Sequence, residues 1–184
     1  PALPVRLAEV WKSAADFEEA RRVLLQALER LPGRAEVHEA LGRLEYDEER
    51  LSEALEWLES AAKLDAARAK AAALFLEKVR REAEIEKGYF REIRGTFTVK
   101  YDDEAYRDTG TRVLEILDRV HNRLGVDFGH WPTRRITVVL YPREDYDAAT
   151  GARDGTGGLF DGKIRLPVRN FARMTREVEA TLAH

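Results

Sequence analysis

Residues 35–68 read AEVHEALGRLEYDEERLSEALEWLESAAKLDAAR, and they repeat the pattern of residues 1–34 in a register of 34 positions. Small residues recur at matching positions of the two copies, and leucines do the same. The matching pairs are Leu7 with Leu41, Ala8 with Gly42, Ala20 with Ala54, Leu24 with Leu58, and Ala27 with Ala61. Small residues allow two antiparallel helices to approach closely, while larger ones fill the layer between repeats. The pattern therefore predicts two stacked helical hairpins.

This repeat resembles the tetratricopeptide repeat in its leucine, small, alanine and proline positions. Those positions correspond here to Leu41, Gly42, Ala54, Ala61 and, in the first copy, Pro32. The chain departs from the family pattern at three further positions, which are Ala66 in place of the second proline, and Pro4 and His38 in place of an aromatic residue. The resemblance covers the segment up to residue 68.

A tetratricopeptide array implies a concave surface that binds peptides. By position, the residues facing it are Val5, Glu9, Lys12, Glu39, Arg43 and Tyr46. This set lacks the basic cluster that would hold a C-terminal carboxylate. The alternative for so short an array is a spacer or docking surface.

The segment after Asp65 is helical by composition, and we expect it to cap the repeats and to end at Gly88. The sequence therefore predicts two domains, residues 1–88 with two repeats and a capping helix, and residues 89–184 with a different organisation. Together they give an α+β fold class, in which all-α helical hairpins precede an α+β domain.

The second half predicts the order strand, helix, strand, hairpin, helix. Phe97, Val99 and Tyr101 alternate with polar residues, which is typical of a half-buried strand. An amphipathic helix follows and is expected to end at Gly125. The apolar run RRITVVLYP predicts a strand that is buried on both faces, and REDYDAATG a short helix or turn. The Asp161-Gly162 turn predicts a hairpin. A final helix is expected from about Phe171.

Several possible functional sites do not fit the residues present. Gly157 to Lys163 matches the beginning of a phosphate-binding loop, but Ile164 replaces Ser or Thr and a strand, not a helix, is predicted to follow. His121 and His38 fit structural positions, and Asp102 to Glu104 fit a helix N-terminus. Without cysteine there is no disulfide or thiolate metal site.

Charge and composition limit the partners. The net charge of −3 argues against nucleic acid, which needs a clustered basic surface. No apolar run is long enough to span a membrane. The abundance of Ala, Arg, Glu and Leu suggests a GC-rich bacterial source. We expect a soluble protein, and the sequence leaves the compartment open between cytoplasm and periplasm.

The last ten residues, TREVEATLAH, form a helix-like run with no residue after it to end the helix. A hairpin followed by an apolar helix ending in LAH resembles the front of a zincin metallopeptidase, in particular the gluzincin and peptidase-MA-like group, over about residues 97–184. Such helices carry H-E-x-x-H, so the resemblance implies that His184 is the first zinc-binding histidine and that the motif's remainder has been cut off. It also implies that the strand Gly157-Gly158-Leu159-Phe160 is the edge strand that pairs with an extended substrate.

Two function classes follow. The first is the N-terminal portion of a tetratricopeptide-coupled zinc metallopeptidase, in which the intact parent holds zinc and the fragment, with one ligand and no general base, is inactive and zinc-free. The second is a noncatalytic interaction protein with a degenerate peptidase-like domain. In either class we expect protein or peptide partners, and self-association through the edge strand or the last helix.

Overall fold

The computed structural model describes residues 3–131, 134–151 and 157–167. Within these ranges, the residues up to Ile85 form one compact unit and those from Glu86 onward form another. The first unit consists of helical hairpins, and the second is a mixed sheet with helices. The predicted α+β fold class is confirmed.

The first unit contains five helices that pack in chain order. They are α1 (Leu3–Ser13), α2 (Phe17–Arg30), α3 (Ala35–Asp47), α4 (Leu51–Leu64) and α5 (Ala66–Ile85). Asp16 caps α2, because its side chain accepts a hydrogen bond from the Glu19 backbone N–H at 3.0 Å. The helix α5 ends three residues before the predicted Gly88, which lies in the following turn at φ +83°.

The small residues of the repeat lie where helices meet. Ala20 and Ala54 are both 0% exposed. A Cβ built on Gly42 would lie 2.6 Å from the Leu58 Cγ, closer than two carbon atoms can approach. The close packing of α3 on α4 therefore requires the absence of a side chain at residue 42.

The second unit forms a five-stranded sheet with the order β1-β2-β3-β5-β4. Its strands are β1 (Phe90–Arg94), β2 (Phe97–Tyr101), β3 (Ile136–Tyr141), β4 (Leu159–Phe160) and β5 (Ile164–Pro167). The strands β2, β3 and β5 are parallel, whereas β1 and β4 are antiparallel to their neighbours. The strand β1 was not predicted from the sequence. Its alternation of large apolar and charged residues is short, and most of its residues are exposed.

The helix α6 (Arg107–Phe128) covers one face of this sheet, and a shorter helix, α7 (Arg143–Thr150), follows β3. Apolar side chains of α6 pack on β2, β3 and β5 in one cluster, whose buried members are Phe97, Val99, Tyr101, Val113, Leu114, Ile116, Leu117, Val138, Leu140 and Leu166. The prediction that this helix ends at Gly125 is wrong. Gly125 lies within α6 and accommodates the Trp131 indole, since a Cβ there would lie 2.1 Å from its Nε1. Gly129, at φ +64°, ends the helix instead.

The strand β3 is buried on both faces, as predicted. The prediction that β2 is half-buried is wrong, because its polar face is also buried: Thr98 is 0% and Lys100 7% exposed. Burial of Lys100 is tolerated because its ammonium group pairs with the Glu86 carboxylate. The predicted short helix at α7 and the hairpin of β4 and β5 are confirmed. The expected last helix lies outside the described residues.

Candidate functional site

A cavity of about 470 Å³ lies in the first unit. Its lining combines helices α1, α3 and α5 and consists of Val5, Glu9, Glu36, Glu39, Ala40, Arg43 and Arg68. Four of the six residues that the sequence assigned to a concave face therefore lie together: Val5, Glu9, Glu39 and Arg43. This cavity is the candidate peptide-binding site of the first unit.

The other two predicted residues do not line the cavity. Lys12 forms ion pairs at 3.2 Å with Glu9, which does line it, and with Asp47. Tyr46 is buried at 8% exposure, and its hydroxyl donates a hydrogen bond to the Glu82 carboxylate at 3.0 Å. Tyr46 thus joins α3 to the capping helix.

Arg68 is the cavity residue that sequence reasoning missed most clearly. Its guanidinium donates hydrogen bonds to Glu39 at 2.8 Å and to Glu36 at 3.0 Å. Arg43 also donates to Glu39, at 3.0 Å, and its guanidinium stacks over the Phe75 ring at 4.5 Å. The only signal in the sequence was the position of Glu36 and Glu39 on one helix face.

These contacts determine the electrostatics of the cavity. Burial acts to raise the pKa of Glu39, but hydrogen bonds from Arg68 and Arg43 outweigh it, so the pKa lies below its ordinary value. The bond to Glu39 raises the pKa of Arg68 in turn. Both guanidinium groups are paired with glutamates, so a ligand's carboxylate would have to compete for them.

We expect Arg68→Met to raise the pKa of Glu39, because it removes a charged hydrogen-bond donor and keeps the aliphatic stem. A carboxylate with a lowered pKa stabilises the fold at pH above its unfolded value, near 4.5, and that stability is lost as pH falls through the lower folded value. Above a pH of about 4.5, Arg68→Met should therefore lower the free energy of unfolding, by less than about 1 kcal/mol because the ion pair is partly exposed. Carboxyl titration by NMR measures the shift. Arg81→Met, on the exposed face of α5, should leave Glu39 unchanged, and equal titration curves in both variants would contradict the prediction.

The predicted substrate strand lies at one edge of the second unit's sheet. Leu159 and Phe160 form β4, which among the described strands pairs only with β5. Gly157 and Gly158 precede it, and a Cβ on Gly157 would meet nothing within 4 Å. Phe160 is 71% exposed. Leu159–Phe160 is only two residues long, so it presents few main-chain groups to an added strand.

A buried ionic cluster of Glu86, Lys100, Tyr141 and Arg165 lies on the sheet face opposite α6. Glu86 accepts hydrogen bonds from the Lys100 ammonium and the Tyr141 hydroxyl. Arg165, which is 0% exposed, donates to the Tyr141 hydroxyl at 2.7 Å and to Asp161 at 3.1 Å. Because Asp161 lies in the turn between β4 and β5, this cluster connects the edge hairpin to the centre of the sheet.

Two histidines, His38 and His121, and the acidic run Asp102 to Glu104 occupy structural positions, as expected. The His38 Nε2–H donates a hydrogen bond of 2.8 Å to the Pro32 carbonyl, and His121 packs edge-on against the Phe97 ring at 5.6 Å. Asp103 caps a 3₁₀ turn by accepting from the Ala105 N–H at 2.8 Å. Burial raises the pKa of Asp102 beside it. These residues give no catalytic constellation.

His184, the candidate zinc ligand, lies outside the described residues. Within residues 3–131, 134–151 and 157–167, no three His, Asp or Glu side chains come together in a way that could hold a metal ion. Nor does any helix in those ranges have the length and apolar character needed to cross a membrane. The strand β5 follows Lys163, so the G-x-x-x-x-G-K stretch does not lead into the helix that a phosphate-binding loop requires.

No protein-family model, curated protein or solved structure matches this chain significantly. The resemblances to the tetratricopeptide repeat and to gluzincin metallopeptidases therefore rest on sequence motifs alone.

Proposed function

We propose that this chain is the N-terminal part of a zinc metallopeptidase of gluzincin type, coupled to tetratricopeptide-like repeats that bind protein substrates. The observation that carries the proposal is that β4 is the last strand in the order of the described sheet and lies antiparallel to β5. In this proposal the substrate lies extended beside β4 and forms main-chain hydrogen bonds with it. The sequence after β5 leads to the TLAH segment that carries His184.

The geometry of the edge hairpin supports this role. The glycines at 157 and 158 permit close approach of a substrate backbone. Phe160 presents an exposed aromatic ring to a neighbouring apolar side chain. The ion pair of Asp161 with Arg165 holds the turn of the hairpin to the interior of the sheet, so β4 is fixed before substrate arrives.

The cavity of the first unit supports substrate recruitment at a second point. Its lining offers two apolar side chains, Val5 and Ala40, among charged groups that each have an ion-pair partner. Such a lining suits a segment of polypeptide better than a small anion. In this proposal the repeats hold one part of a protein substrate while another part reaches β4.

His184 would be the first of three zinc ligands, and the remaining ligands and the general base would follow it in sequence. Bound zinc would supply an activated water and polarise the scissile carbonyl. One imidazole is too few donors for a catalytic zinc, and the described residues add no set that completes it. The fragment itself should neither hold catalytic zinc nor hydrolyse peptides.

The test uses the polypeptide extended through the natural residues that follow His184. We expect one tightly bound zinc per chain by elemental analysis and hydrolysis of a fluorogenic peptide library, both lost in His184→Ala. The exposed His130 provides the matched control, since His130→Ala should keep zinc and activity. An extended chain that binds no zinc would reject the peptidase proposal. Peptide binding retained by that zinc-free chain would favour the noncatalytic interaction protein, for which the cavity is the supporting observation.

A further inference from the structure

The first helix presents an apolar face to solvent. Leu3 is 78%, Leu7 42% and Val10 63% exposed. Their spacing places them on one side of α1, as the helical period requires. Three large apolar side chains on one helix face are more than the scattered single residues that a protein surface normally carries.

The repeat shows what covers such a face. The equivalent residues in the second copy, 34 positions later, are Val37, Leu41 and Leu44 of α3. They are 1%, 0% and 2% exposed. The same pattern is thus buried in one copy and open in the other.

The hairpin of α1 and α2 is what covers α3. Val37, Leu41 and Leu44 belong to one core cluster with side chains of the preceding hairpin, among them Ala8, Ala20, Leu24 and Ala27. Val5, Trp11, Phe17 and Leu28 are partly buried against the same cluster, so the covering face of that hairpin combines small residues and leucine with larger apolar side chains. In each chain this covering face is already packed against α3. The same face of a second folded copy is therefore not accessible to α1.

The exposed face of α1 and the buried face of α3 differ in charge at one position. Arg6 stands on α1 where α3 has Ala40, and it is exposed. The described carboxylates form no ion pair with Arg6. A partner that buried the α1 face would gain by placing a carboxylate opposite this guanidinium.

We propose that the face of Leu3, Leu7 and Val10 is the docking surface for a further helical hairpin of the same repeat type, stacked ahead of α1 in the register that α1 and α2 hold on α3. Its contacting face carries small residues and leucine together with larger apolar side chains, as the covering face of the α1 and α2 hairpin does. The interface continues the one already formed between the first and second hairpins. This proposal concerns the repeats alone and does not depend on peptidase activity.

The experiment adds a covering hairpin to the full chain. A copy of residues 1–34 is placed directly before Pro1, which preserves the 34-residue period. We expect hydrogen exchange of the original α1 to slow by about tenfold or more, the factor that corresponds to 1.4 kcal/mol of added stability. Leu7→Glu in the original copy should abolish the slowing. Leu74→Glu, at an 88% exposed leucine of α5, should not.

Two further measurements keep the test decisive. Arg6→Ala makes the α1 face match that of α3, and we expect the added copy to protect α1 still more strongly in this variant. If adding the copy leaves the hydrogen exchange of α1 unchanged, both in the chain with Arg6 and in Arg6→Ala, the proposal is overturned. So would self-association of the unmodified chain that Leu7→Glu abolishes in light scattering, since the occupant would then be a second copy.

Discussion

Replacement of Glu86 by alanine should lower the free energy of unfolding of the second unit by about 3–5 kcal/mol. Glu86 is 6% exposed and accepts hydrogen bonds from Lys100 and Tyr141, while the Arg165 guanidinium lies 3.8 Å away. Alanine would leave Lys100 and Arg165 buried without this carboxylate. Removal of one partner from a buried ionic group costs more than the intact group contributes, because the remaining charge stays out of water.

Hydrogen exchange measures this loss separately for each unit. Amides of β2 and β3 should exchange about 10²- to 10⁴-fold faster in Glu86→Ala, whereas amides of α3 in the first unit should change little. Tyr141→Phe removes only the hydroxyl between Glu86 and Arg165, so we expect an intermediate loss of about 1–3 kcal/mol. Glu115→Ala, on the exposed side of α6, is the matched control and should stay within about 0.5 kcal/mol. Equal exchange in Glu86→Ala and Glu115→Ala would show that the ionic cluster does not stabilise the sheet.

Substitution of Gly42 by leucine should have the largest effect in the first unit. A Cβ at this position would lie 2.6 Å from Leu58 Cγ and 3.1 Å from the Ala54 carbonyl oxygen. Leucine is a better helix former than glycine by about 1 kcal/mol, but overpacking of a closed helix contact costs about 1–3 kcal/mol or more. The steric cost wins because part of the obstacle is backbone. We expect a net loss of about 2 kcal/mol in the free energy of unfolding.

Gly33 provides the control for this prediction. It is exposed, and a Cβ built on it would meet nothing within 4 Å. Gly33→Leu should therefore change stability by no more than about 0.5 kcal/mol. Urea unfolding followed by the fluorescence of Trp11 and Trp57, both in the first unit, compares the two variants. A Gly42→Leu chain as stable as Gly33→Leu would mean that α3 and α4 separate at little cost.

The parts of the fold that could be predicted are those encoded by local periodicity. The 34-residue register specified which residues had to be small, and Gly42 and Ala54 lie at the helix contacts that this requires. The Asp161-Gly162 turn located the hairpin, and the apolar run located β3. Helix ends were less accurate, because Gly125 is required by the Trp131 ring and not by chain termination.

The candidate site was predicted in part for the same reason. Val5, Glu9, Glu39 and Arg43 lie together because the repeat fixes which side of each helix is concave. Arg68 could not be placed in the cavity, because it belongs to the capping helix, outside the repeat that defined the face. Lys12 and Tyr46 were assigned to the same surface, but neither lines the cavity: Lys12 pairs with Glu9 and Asp47, and Tyr46 with Glu82.

The sequence by itself determined the helical hairpins, the central strand and the edge hairpin, because each follows from residues close together in the chain. Only the tertiary structure decided which charged side chains are buried and which apolar ones are exposed. Lys100 and Arg165 are buried because Glu86 and Tyr141, distant in sequence, meet them on one face of the sheet. Leu7 and Leu41 occupy the same repeat position, yet only Leu41 is covered, since burial depends on the hairpin packed against each helix and not on the pattern of the helix itself.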